Sequence, residues 1–167
     1  MRYPDQAYFL TLAQIAIAFV AFTSLVVVLR QARGGSLTAF ERIAMTFNIE
    51  TGFVGVWFSM LPPLFGLPDD YGAAPWRVLA GFLGGFVILW LTAYLIRRRA
   101  VLSAPIPTRM ILFMLSNYLL AGALLLDAGG FIPVMGVSLY AIALTWSLAG
   151  SCVGFLLTLP VFFDAPN

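Results

Sequence analysis

The chain has no histidine and no lysine, so all nine of its basic residues are arginine, and it has one cysteine, Cys152. Without histidine, axial-His haem ligation and His-based metal sites are excluded. Without lysine, a retinal-type or pyridoxal-type Schiff base is excluded as well. A lone cysteine forms no intrachain disulfide, and Cys152 sits in an apolar run where it serves as a small hydrophobe. Catalytic signatures are missing too: there is no GxSxG, HExxH, CxxC, Walker loop or dinucleotide fingerprint. The pair Asp69-Asp70 has no second acidic pair with which to hold a divalent ion around a phosphate. The expectation is a protein that is not an enzyme and uses neither a metal nor an organic cofactor.

Charge is scarce as well, at 10% of 167 residues, against 62% hydrophobic residues and a mean hydropathy of +0.98. A soluble domain is roughly 45–50% apolar and about 25% charged. Water does not solvate so much apolar surface, which excludes a soluble enzyme, a disordered tail and a disulfide-rich secreted module. What remains is an integral membrane protein forming a single transmembrane domain over residues 1–167.

A spanning helix needs about 20 mostly apolar residues. Five runs qualify, at 8–29, 39–61, 76–96, 110–126 and 134–159. None shows the alternation of a membrane barrel strand, so the expected fold is all-α, a polytopic bundle of five spans. The run at 110–126 is the shortest; were it re-entrant, four spans would remain and the C-terminus would change sides. The first run exceeds the roughly 7–15 apolar residues of a signal peptide and lacks a clear cleavage site, so it reads as an uncleaved helix.

Local signals mark the helix ends. Thr38 to Glu41 fits a capping box before the second run, and Pro62-Pro63 is expected to stop it. Pro75 precedes the third run, Thr108 is placed to cap the fourth, and Pro133 suits the first turn of the fifth. Asp127 to Gly130 makes a tight hairpin between the last two. Arginine gathers around the first and third connections, at Arg30, Arg33, Arg42, Arg97, Arg98, Arg99 and Arg109. The second and fourth are acidic, with Asp69, Asp70 and Asp127. The positive-inside rule then puts the N-terminus outside and the C-terminus in the cytoplasm, in a bacterial-type inner (plasma) membrane. The basic loops suit anionic headgroups, and an arginine triplet at a membrane edge is a topology signal, not a nucleic-acid site.

Small residues let membrane helices approach closely. Such stripes include Asn48, Gly52 and Gly55 in the second run, and Asn117 with Ala121 in the fourth. Gly81 and Gly85 form a GxxxG pair in the third, and Gly150 and Gly154 another in the fifth, which also carries Ser147. Asn48, Asn117 and Gln14 each read most simply as hydrogen-bonding a neighbouring helix. Glu50 differs, being the one charged residue well inside a run, where a charge costs about 3 kcal/mol. At 100° per residue it points about 160° away from Asn48 and the glycine stripe, onto a face with Thr46, Phe47, Phe53, Val54 and Trp57.

A five-helix bundle has difficulty shielding both faces of the second run, so homo-oligomerisation is expected, with the Glu50 face turned to other copies or to a central axis. The leading functional expectation is a small ion or proton channel or carrier. Glu50 would lie in the pathway, Asn48, Asn117 and Ser147 would support it, and Phe53 and Trp57 would form a constriction. The alternative is a non-catalytic membrane subunit that packs against larger membrane partners, with Glu50 fixing helix register by bonding a backbone carbonyl or Asn117.

Overall fold

The structure, a computed structural model, describes residues 6–32, 36–67, 73–102, 107–132 and 136–163. It is all-α, with five helices: α1 (Gln6–Ala32), α2 (Ala39–Leu64), α3 (Ala73–Val101), α4 (Thr108–Ala128) and α5 (Gly136–Phe163). Each expected run lies in its own helix. The acidic pair Asp69-Asp70, Arg33, Pro133 and the expected start of the fifth run at 134 fall outside the described residues.

Four helices are long and apolar enough to cross a membrane: α1, α3 from Ala74, α4, and α5 over Val137–Leu157. This suggests an integral membrane protein. The helix that falls short is α2, a departure from the five equivalent runs read from the sequence. Its length is ample at 26 residues, but Asn48 and Glu50 lie in its middle and no stretch of it is apolar enough. The short fourth run, by contrast, qualifies.

The start of α2 is built as its sequence dictates. The Thr38 hydroxyl accepts from the Glu41 amide at 3.3 Å, and the Glu41 Oε2 accepts from the Thr38 amide at 2.7 Å. The other carboxylate oxygen of Glu41 pairs with Arg30 Nη2 at 2.9 Å, tying the end of α1 to the start of α2. At its far end α2 does not stop before the prolines but runs through Pro62-Pro63 to Leu64. Pro62 lacks the N–H that the Phe58 carbonyl would accept. The buried Tyr140 hydroxyl of α5 donates to that oxygen instead, at 2.7 Å, so this backbone acceptor is satisfied. Thr108 does not cap α4; it is the first helical residue, and Pro107 occupies the cap without a side-chain bond. The turn that ends α4 is described as far as residue 132. Gly129 and Gly130 donate back to Leu125 and Asp127, and Gly130 takes a φ of +79° that a side chain would disfavour.

The helices pack as two hairpins, α1 with α2 and α3 with α4, joined by α5, which touches all four. Contact between α2 and α3 is slight. Gly52 and Gly55 let α1 approach: a Cβ on Gly52 would collide with Val20, and one on Gly55 would touch Ala16 at 3.4 Å. Gly150 likewise makes room for the Phe113 ring. The two GxxxG readings are otherwise corrected. The α3–α4 contact runs through Gly81, where a Cβ would come within 3.1 Å of Ala128, and Gly84, where a Cβ would come within 2.8 Å of the Ala121 carbonyl oxygen. Gly85 and Gly154 have nothing within 4 Å to pack against, because the neighbouring helix lies along an i, i+3 line on α3, and Gly154 is exposed.

Candidate functional site: an ion pair on the outward face of α2 and α3

The outward stripe of α2 is Thr46, Glu50, Phe53, Trp57 and Met60, each three or four residues after the last. Its inward stripe holds Asn48, Thr51, Gly52, Gly55 and Ser59, all buried. The two-faced helix expected from the spacing is therefore present. One exception is Phe47, which is buried, stacks on Trp90 with ring centroids 4.8 Å apart and meets Tyr94 in a tilted contact at 4.4 Å.

Across the shallow contact with α3, both carboxylate oxygens of Glu50 are bonded. Arg97 donates through Nη1 to Oε1 at 2.7 Å and through Nη2 to Oε2 at 2.8 Å. Trp90 donates its indole N–H to Oε2 at 2.9 Å. The fork of two parallel bonds matches guanidinium to carboxylate in a geometry that a lysine could not reproduce. Trp90 and Arg97 are seven residues apart, two helical turns, so α3 presents both to the same side. The pair is not sealed: the Arg97 side chain is 50% exposed and that of Glu50 30%. Phe53 and Trp57 beside it are 60% and 62% exposed. They face outward from the single chain and form no constriction within it.

The expected polar cluster thus divides. Asn117 and Ser147 do meet, the serine hydroxyl donating to Asn117 Oδ1 at 2.8 Å, while Asn117 donates to the Phe113 carbonyl at 2.9 Å. With Leu83, Leu124 and Ala143 they line a cavity of about 10 Å³ between α3, α4 and α5, one water in size. Neither bonds to Glu50. Asn48 is buried on the opposite side of α2 from Glu50. The expected partners of Glu50, a backbone carbonyl or Asn117, are replaced by Arg97 and Trp90.

Sequence reasoning counted Arg97 only as a topology signal and passed over Trp90. Their shared face was visible in the sevenfold spacing, but nothing local pointed that face at Glu50. It also passed over a buried polar layer at the other end of the bundle. There Asp127, 2% exposed, has its Oδ2 without a hydrogen-bond partner, as do the Trp76 indole N–H and the Ser59 hydroxyl. Among the described residues no group of metal-ligating side chains forms. In comparison with known proteins the chain matches no family model, no curated protein and no solved structure.

Proposed function

We propose that the protein is a non-catalytic integral membrane subunit that binds other membrane protein through the outward face of α2 and α3. On this reading all five helices cross a bacterial-type inner membrane, with α2 carried across by its packing on α1 and α5, the N-terminus outside and the C-terminus in the cytoplasm. The observation that carries it is the half-exposed Glu50–Arg97 fork. Lipid tails offer no hydrogen bonds, so a polar group on a lipid-facing surface is unfavourable, whereas a protein neighbour can cover it. Aromatic Phe53 and Trp57 border the fork, and α2 alone among the described helices is not apolar enough to cross a membrane unaided, as suits a helix shielded by protein on both sides.

The alternative of an ion or proton path through Glu50 has less support. Both carboxylate oxygens are occupied within the chain, and Asn117 and Ser147 line a different interface. Two measurements test the proposal. Reconstituted into liposomes, the purified protein is expected to pass protons and monovalent ions no faster than empty vesicles, with Glu50→Gln indistinguishable from wild type. Mass measurement after extraction in mild detergent is expected to find the chain in a particle larger than one copy. Flux abolished by Glu50→Gln would replace this reading with the channel, and a strictly monomeric particle would remove it.

A further inference from the structure

We infer that the neighbour at this face is a second copy of the chain, related by a two-fold axis along the membrane normal, with Glu50 of each copy reaching Arg97 of the other. The inference rests on the proposed docking role of the face and names its occupant. Glu50 and Arg97 are bonded to each other, so their charges differ in depth by no more than the length of the fork. Copies of one membrane protein insert in the same orientation, and a closed symmetric pair of them must therefore turn about an axis along the normal. Such a rotation leaves depth unchanged and exchanges left for right across the contact. The carboxylate on the α2 side of one copy then meets the guanidinium on the α3 side of the other, twice over. A face carrying one charge, or both charges at different depths, would not be self-complementary in this way.

The bonding capacity agrees. Of the five guanidinium N–H groups, the fork uses two and leaves three pointing elsewhere. The carboxylate accepts three bonds and keeps one further acceptor site. Joining two copies completes a square of alternating charges, each ion with two opposite neighbours. Around it, Phe53 and Trp57 of α2 and Phe86 and Leu89 of α3 are exposed and supply the apolar border of the contact.

The first test leaves the ion pair intact. With Cys152→Ser to remove the native thiol, Phe53→Cys is placed beside the proposed axis and oxidised in native membranes with copper phenanthroline. An adduct of twice the chain mass is expected, and it should be absent from a control carrying the cysteine at Ile142 on the exposed side of α5. The second test reverses charge. Glu50→Arg and Arg97→Glu copies, differently tagged, should each lose self-association when expressed alone. Co-expressed, they should copurify at least tenfold more than either does with its own kind, since only the mixed pair restores both cross-bonds. If either variant fails to fold, the cysteine adduct decides. An adduct with a chain of another mass overturns the second-copy inference while leaving the docking role standing. No adduct, with a monomer in lipid nanodiscs, overturns both.

Discussion

At Glu50 a single side chain has three donors around it, and the variants separate what each contributes. Arg97→Lys keeps a positive charge but loses the fork, while Arg97→Ala leaves the carboxylate with only the Trp90 N–H. The expected order of stability is wild type, then Arg97→Lys, then Arg97→Ala, with the last losing about 1–3 kcal/mol; half-exposure keeps the loss at or below the cost of a buried unpaired charge. Denaturation in detergent–SDS mixtures followed by tryptophan fluorescence measures it, with Trp90 itself reporting on the site. Equal stability of Arg97→Ala and wild type would show the fork to be ornamental. A second residue-scale case is Asp127, whose buried carboxylate lacks a full set of partners. Asp127→Asn removes the charge and keeps the shape, so it is expected to raise stability by about 1 kcal/mol, read as an upward shift of the thermal midpoint. Tyr140→Phe works the other way. It strips the donor from the Phe58 carbonyl that Pro62 leaves open, and should lower stability by about 1 kcal/mol.

At the scale of elements, the α1–α2 corner and the α3–α4 contact make opposite demands on sequence. The corner hangs on Glu41, which caps α2 with one oxygen and pairs with Arg30 through the other. Glu41→Ala removes both the Arg30 pair and one bond of the cap, with an expected loss of about 2–3 kcal/mol. Thr38→Ala, which removes the cap hydroxyl alone, should cost about 1 kcal/mol. Comparable losses for the two would mean the Arg30 pair contributes nothing. The α3–α4 contact depends on having no side chain at one place: Gly84→Ala puts a methyl 2.8 Å from a backbone oxygen, whereas Gly85→Ala meets nothing. Melting of the purified protein should therefore fall by several degrees for the first and stay unchanged or rise for the second. Both glycines sit in a helix and differ by one position, so helix propensity cannot account for a difference between them.

For the molecule as a whole, the arrangement of hairpins decides what faces out. Because α5 fills the space between the two hairpins, α2 and α3 meet only along an edge, and that edge carries the ion pair at the surface. Vesicle flux and particle mass are the measurements at this scale, and the expected outcomes, no conduction and more than one copy, bear on the same face from two sides.

Apolar content and run length by themselves determined that the described residues are all-helical and include helices long and apolar enough to cross a membrane, since these follow from the cost of exposing apolar side chains and backbone groups to the wrong solvent. Local spacing likewise determined the Thr38–Glu41 cap, the turn that ends α4, the close approach at Gly52 and Gly55 and the two-faced character of α2, because each depends on residues within a few turns of one another. Only the tertiary structure decided who answers Glu50, a guanidinium 47 positions away, and which glycine of α3 meets α4. It also decided that the α2 helix runs through its prolines, where a hydroxyl from the last helix answers the carbonyl that Pro62 leaves open. Contacts of that kind depend on the register between helices, which is set by the packing of all five together and is written in no single stretch of the chain.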